Sequence, residues 1–394
     1  MDAEGDRLSS LSDDLIIKIL SYIDTKHAIK TSILSSRWKN TWKSIRHLDL
    51  STDDFTSLNR FHEFTRVFSS CNNEIELSSV KLTVRGGFYQ VVVKKVINYA
   101  FLHNVQKMTI ICLDKKRMEI PLSLFISQYL KDLTLVGSTR YYCFQLDRIK
   151  SSWDLPALTT LQLDHVMFVN ERSNESGSLF SKCPNLKNLT FSNCMINDHN
   201  HYTISHPQLS NLTLKNGDYS AVNVVASHLK NLTVVNCRGD LMISAPELSS
   251  LMYKNTFYLP FLQDCLSSLE KVDFYIYHSD GPSIIDILQQ FPNVKYLTLG
   301  LEIAQVLASC VDLVSHLSSP FGKLTSLKIY PGWKERLQEG LKINMPTEIK
   351  NYLLDGSPNA TVSIYSFEEK KVLQDATLAQ QIMATLQGVG GGEN

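Results

Sequence analysis

The residues of this chain best suited to chemistry lie close together: Asp198, His199, His201 and His206. Imidazole and carboxylate groups at short range are what a zinc or other transition-metal site is built from. Their spacing fits no ligand motif, and the segment reads as a solvated loop between structured stretches. Eight cysteines, at 71, 112, 143, 183, 194, 237, 265 and 310, are scattered and none forms C-x-x-C. That usage suits reduced, partly buried thiols. The stretch Gly388-Val389-Gly390-Gly391-Gly392 lacks the Lys-Ser/Thr of a phosphate loop and reads as a flexible tail. The sequence also lacks H-E-x-x-H, G-x-S-x-G and G-x-G-x-x-G. The expectation is a chain with no catalytic residue, no metal and no cofactor.

Composition narrows the classes further. The 394 residues carry 39 basic and 39 acidic side chains, and 43% are hydrophobic. Even charge argues against a general nucleic-acid or anionic-membrane binder. No run of about 18 apolar residues predicts a membrane span. The opening Met1 to Asp6 is polar, so no secretory leader is expected, and the expected location is cytoplasmic, nuclear or both.

Two kinds of element must position whatever surface does the work. The first is helical and N-terminal. Leu15, Ile16, Ile19, Leu20 and Ile23 form one wide apolar face at helical spacing. Ser12 is placed to cap this helix, with Asp13 and Asp14 in its positive first turn. Thr25 is placed to cap a second helix carrying Ala28 and Ile29. Ser35 or Ser36 is placed to cap a third, with Trp38 and Trp42 one turn apart. Three short helices cannot bury this much apolar surface among themselves, so the face is expected to dock on the following array or on a partner. Residues 25–46 carry Lys26, Lys30, Arg37, Lys39, Lys43 and Arg46 with no acid. They read as a solvated basic face or as one complementary to an acidic partner.

The second kind of element repeats. The pattern L-x-x-L-x-L recurs with middle residues at 133, 161, 189, 212, 232, 251, 272, 297 and 327. Weaker copies are Val105/Met108/Ile110 and Leu82/Val84. The steps fall in or near the 20–29-residue range of leucine-rich repeats. Each short strand would turn its marked residues inward and polar ones outward, and stacking neighbours would bury them. Cys194 and Cys237 stand where such repeats place a buried Asn or Cys. Ile303 to Leu317 and Ile284 to Leu288 show helical spacing, and Phe61, Phe64 and Phe68 fit one helix face. Asn170 to Ser178 reads as an exposed loop. Outward strand positions are mostly Thr and Asn in the earlier repeats: Thr160, Asn188, Thr190, Asn211, Thr213, Asn231 and Thr233. Later they become Lys254, Lys271, Asp273, Tyr275, Tyr296, Lys328 and Tyr330. Tyrosines among fixed charges suit a recognition surface, so these seven residues are the candidate partner-binding set.

A resemblance now becomes specific. Asp6-Arg7-Leu8-Ser9-Ser10-Leu11-Ser12-Asp13-Asp14-Leu15, Ile19-Leu20-Ser21-Tyr22-Ile23, Thr25-Lys26-His27-Ala28 and Thr31-Ser32-Ile33-Leu34-Ser35-Ser36-Arg37-Trp38-Lys39-Asn40-Thr41-Trp42 together resemble the F-box of plant F-box/leucine-rich-repeat proteins. Residues 345–361 are similar, over a shorter stretch, to the C-terminal segment of that family. The resemblance implies a small three-helix F-box followed by an irregular leucine-rich-repeat horseshoe with parallel strands on its concave face. It implies domains at 1–50 (F-box), 51–79 (helical transition), 80–330 (repeats), 331–366 (capping segment) and 367–394 (helical or flexible tail). It also implies a non-catalytic receptor subunit of an SCF-type ubiquitin ligase, bound to a Skp-type adaptor and through it to cullin and RING subunits, and holding a protein client. By that carry-over Leu11, Leu15, Ile19, Leu20, Ile23, Ile29, Leu34 and Trp38 lie at or just beneath the adaptor surface. Ser12 and Asp24 stand where the family usually has proline. The alternatives are a repeat scaffold without ligase activity and a receptor whose client surface a small molecule completes.

Overall fold

The computed structural model describes residues 10–55, 57–70, 76–85, 90–113, 121–138, 144–147, 153–169, 180–197, 202–256, 259–263, 267–331 and 345–365. Contacts divide the chain into two units, Met1–Ala226 and Ser227–Asn394. The stretches expected to be an exposed loop (170–178) and a terminal tail (367–394) lie outside the described residues, as does the side chain of Phe68.

The first unit begins with helices α1 (Asp13–Leu20), α2 (Thr25–Lys30) and α3 (Trp38–Thr41), with 3-10 turns at Thr31–Ile33 and Trp42–Ser44. Ser12 caps α1, accepting from the Leu15 amide at 3.4 Å. Ser35 accepts from the Trp38 amide at 3.4 Å and so opens α3. The cap of α2 is Asp24, not Thr25. Thr25 is instead buried, and its hydroxyl accepts from the Asp49 amide at 2.9 Å, fastening α2 to the first strand. Ile16, Leu20, Ala28, Trp38 and Ile45 form the core of this module, with Leu11 and Trp42 packed against it. Arg37 donates from Nε and Nη2 to Asp13 Oδ1, each at 2.8 Å, and so joins α3 to α1.

Seven parallel strands follow in the first unit: His47–Ser51, Ser79–Val84, Lys107–Cys112, Asp132–Val136, Thr160–Asp164, Asn188–Ser192 and Asn211–Lys215, each paired with the next. The repeat residues stand in register. Met108 pairs with Leu133, Leu133 with Leu161, Leu161 with Leu189 and Leu189 with Leu212. All five are buried. Full burial of each leucine contributes about 1.5–3 kcal/mol, which no repeat could obtain alone. The strand His47–Ser51 crosses residue 50, where the helical module was expected to end. Helices Leu58–Ser70 and Gln90–Leu102 fill two of the longer connections. Trp153 lies in the interior, stacked on Phe125 at 4.4 Å between ring centroids and edge-on to Phe180 at 5.6 Å.

A second parallel sheet, not foreseen from sequence, runs through Phe144–Asp147, Val166–Val169, Met195–Asn197 and Asp218–Val225, with Tyr202–Ser205 beside the last. The turn that makes it possible is one or two residues long. His165, Asn193 and Asn216, each immediately after a main strand, have φ of 52°, 51° and 49°. Asparagine tolerates this left-handed conformation better than most residues. Asn193 Nδ2 also donates to Asp164 Oδ1 at 2.7 Å, and Asn216 Nδ2 to Asn193 Oδ1 at 3.2 Å, so successive turns are tied together.

The second unit repeats the scheme. Asn231–Val235, Ser250–Asn255, Lys271–Ile276, Tyr296–Gly300, Ser326–Tyr330 and Thr361–Ile364 form parallel neighbours in that order. Leu232, Leu251, Val272, Leu297, Leu327 and Val362 share one register row. Asn236 turns the chain at φ 50°, after which Arg238–Ser244 pairs with Phe261–Gln263. Helix Gly281–Leu288 is capped by Asp280. The helical spacing over 303–317 proves to be two helices, Leu301–Ser309 and Val311–Val314, separated at Cys310. The capping segment provides helix Thr347–Leu354 and the last strand.

Candidate functional site

The helical module divides the eight adaptor-binding candidates by depth. Leu20 and Trp38 are core residues. Leu11 and Ile29 are half-buried. Leu15, Ile19, Ile23 and Leu34 remain 49%, 43%, 39% and 53% exposed. Leu15, Ile19 and Ile23 follow one another at four-residue spacing along α1 and the turn after it, while Ile16 and Leu20, about 100° further round the helix, turn inward. Among the described residues, nothing in the chain covers this stripe. Ile33, 87% exposed, and the exposed Tyr22 were not singled out from sequence. Their signal was present in the motif, but a short helix or 3-10 turn has too few turns for periodicity to show which side faces out. The basic residues nearby are partly engaged. Arg37 holds Asp13, and Lys26 Nζ lies 5.0 Å from the centroid of the Phe55 ring.

The seven client-binding candidates all lie on outward positions of the second unit's sheet. Lys271, Asp273 and Tyr275 alternate with the buried Val272, Phe274 and Ile276. Pairing sets them in rows: Lys254 beside Tyr275, Lys271 beside Tyr296, Thr298 beside Lys328, and Gly300 beside Tyr330. The Tyr330 ring stacks on Tyr365 at 4.6 Å with 9° between planes. The Tyr275 ring leans over Gly300, where a Cβ would lie 3.2 Å from Tyr275 Cδ1. Lys271 Nζ is 3.7 Å from Asp273 Oδ2. Burial, with the Asp273 charge adding to it, raises the Tyr275 hydroxyl pKa. Burial and the Tyr365 ring raise that of Tyr330. Both hydroxyls therefore stay protonated and able to donate. Sequence reading did not include Tyr365, which lies one residue beyond the last strand.

The groups suited to chemistry have structural roles where they are described. Asp198, His199 and His201 lie outside the described residues. His206 does not sit on a solvated loop. It is buried, with Nε2 3.0 Å from the Cys183 carbonyl and Nδ1 accepting from the Gln208 amide at 3.2 Å. Burial lowers its pKa, against the opposing pull of that carbonyl. Burial also pushes the Cys183 thiol up to about 11, which suppresses the nucleophilic thiolate. Cys194 and Cys237 are buried and donate to backbone carbonyls, Cys194 to Ser192 at 3.3 Å and Cys237 to Val235 at 3.5 Å. Among the described residues, no helix is long and apolar enough to cross a membrane.

An F-box-sized helical module ahead of registered leucine-rich strands defines a class, and comparison with known proteins supports it. Residues 8–49 match the F-box domain. Residues 93–260 match the leucine-rich repeats described for FBD-associated F-box protein At5g56370. The chain is 31% identical over 356 residues to the Arabidopsis thaliana F-box/FBD/LRR-repeat protein At4g13965, covering 84% of this chain and 77% of that one. It is 34% identical over 199 residues to the Arabidopsis FBD-associated F-box protein At5g44490, covering 48% and 39%. To the Arabidopsis FBD-associated F-box protein At3g52670 it is 30% identical over 253 residues, covering 62% and 58%. The last two alignments span less than two thirds of those relatives' own lengths. This chain belongs to the plant F-box/leucine-rich-repeat family.

Proposed function

We propose that this chain is the substrate-recognition subunit of an SCF-type ubiquitin ligase, in which it performs no bond chemistry itself. The F-box docks a Skp-type adaptor through Leu15, Ile19, Ile23 and Leu34. Leu11 and Ile29 lie half-buried behind them, and Leu20 and Trp38 hold the surface from beneath. The adaptor links the chain to cullin and RING subunits. Lys254, Lys271, Asp273, Tyr275, Tyr296, Lys328 and Tyr330 hold the client, and tethering raises the effective concentration of client lysines near the ubiquitin-charged enzyme. The complex works in the cytoplasm, the nucleus or both.

One observation carries this reading: an apolar stripe on the F-box module left uncovered by the described chain. Contiguous exposed apolar surface of this kind marks interaction sites. Co-expression with a Skp-type adaptor, cullin and RING subunit tests it. Stable co-purification of all four is the expected result. A chain that purifies alone and ignores the adaptor would instead be a repeat scaffold without ligase activity.

A further inference from the structure

Each end of a stacked repeat array leaves apolar side chains with no further repeat to bury them, so each end needs a cover. At the first strand, His47–Ser51, the helical module supplies it. Leu48 and Leu50 are each only 4% exposed, and Thr25 of α2 is fastened to Asp49 between them. The last strand, Thr361–Ile364, has no such cover among the described residues. It pairs with Ser326–Tyr330 on one side and ends the sheet on the other. Val362 and Ile364 stand in register with Leu327 and Ile329, which are 1% and 0% exposed, yet they are themselves 45% and 42% exposed. Helix Thr347–Leu354 packs on Leu301–Ser309 and Val311–Val314 and leaves both open.

The residues that follow this strand have the pattern of a cover. Val372, Ala376, Ala379, Met383 and Leu386 are spaced four, three, four and three apart, which is one apolar stripe of a helix. Gln374, Thr377 and Gln381 fall on the opposite side. We propose that residues 372–386 form a helix whose apolar stripe lies on Val362 and Ile364 and closes this end of the array. Such a helix is about 21 Å long and the strand only about 13 Å, so one helix spans it. Residues 366–371 reach about 20 Å when extended, enough to turn the chain back over Val362. A helix this short is marginal in water and needs a surface to dock on. The open edge of a last strand is also a place where a second copy could add. The tail outcompetes that copy because a short tether holds it at about millimolar effective concentration.

Hydrogen exchange on the full chain, read by mass spectrometry, tests this. In the parent the 373–387 amides should exchange at least tenfold more slowly than those of a synthetic peptide of residues 366–394. That protection should vanish in Val362→Asp/Ile364→Asp and in Ala379→Asp/Met383→Asp, while the 326–330 strand stays protected and reports an intact array. The second variant changes only the tail, so it decides alone should the first disturb the strand. Parent amides as fast as the peptide's, or protection that survives Ala379→Asp/Met383→Asp, would overturn the proposal. Protection that appears only as protein concentration rises would assign the surface to a second copy and overturn it equally.

Discussion

Asp24 Oδ2 lies 2.6 Å from His27 Nδ1, while Asp24 Oδ1 accepts from the His27 amide at 2.9 Å. One carboxylate thus opens α2 twice over. Burial works against its charge, but the His27 amide and ring outweigh that and lower the Asp24 pKa below 3.8. A depressed carboxylate pKa stabilises the fold above its unfolded value, and the contribution disappears as pH falls through the folded value. Asp24→Ala is expected to destabilise the helical module by about 0.5–2 kcal/mol at neutral pH. The difference from the parent should shrink below pH 3.8. Hydrogen exchange of the 25–30 amides reads both effects.

His206 gives the opposite end of the same logic. Its two ring contacts require a neutral imidazole, with Nε2–H donating to the Cys183 carbonyl and Nδ1 accepting. Its folded pKa lies below 6.5, so in that window the unfolded chain takes up a proton that the folded chain refuses. Its contribution is complete above pH 6.5 and is eroded as pH falls toward the folded value. Urea unfolding of the parent should therefore weaken more steeply between pH 7 and 5 than that of His206→Gln. Equal slopes would show that protonation here is harmless.

The leucine ladder sets the scale for the core. Leu161 and Leu251 are fully buried in the middle of their register rows. Leu161→Ala and Leu251→Ala are each expected to cost about 2–5 kcal/mol. The half-buried strand position Thr160→Ala, which gives up the 3.2 Å hydrogen bond from Asn188 Nδ2, should cost only about 0.5–1.5 kcal/mol. Thermal unfolding distinguishes them.

Gly300 has ordinary extended φ of −67°, so its value is space and not backbone freedom. A Cβ there would press on Tyr275 Cδ1 at 3.2 Å and Glu302 Oε2 at 3.1 Å. Gly300→Val is expected to move the Tyr275 ring, at a cost of about 1–3 kcal/mol, and to weaken client capture without changing adaptor affinity. The alanine triple at Tyr275, Tyr296 and Tyr330 should show the same split. Client capture unaffected by both variants would take this face out of recognition.

The amino-acid pattern specified the main sheet well because the rule behind it is geometric. Leucines spaced three and two apart can be buried only if neighbouring strands stand in register, so Leu133, Leu161, Leu189 and Leu212 named their own partners. The second sheet was illegible for an equally physical reason. Met195–Asn197 and Phe261–Gln263 are three residues long, too short to display alternation, and the longer Asp218–Val225 breaks its alternation at Ala221. Their signature was the left-handed Asn193, Asn216 and Asn236, which read as ordinary turn asparagines. Thr25 misled because threonine and aspartate both cap helices, and only the fold shows that Thr25 is buried against Asp49. In the adaptor surface, the helical period put Ile16 and Leu20 on the same wide face as Leu15 and Ile19. Packing of Trp38 and Ile45 divided that face into an inner and an outer half.

The outer half is where the account is most directly tested. Leu15 and Ile19 are exposed, so Leu15→Ser/Ile19→Ser leaves the core of Ile16, Leu20 and Trp38 in place. Calorimetric titration of a Skp-type adaptor into the parent and the double variant gives the answer. The prediction is an affinity loss of about 100-fold or more, with an unchanged circular dichroism spectrum. Equal affinity for a folded double variant would contradict the role assigned to the stripe and, with it, the ligase reading.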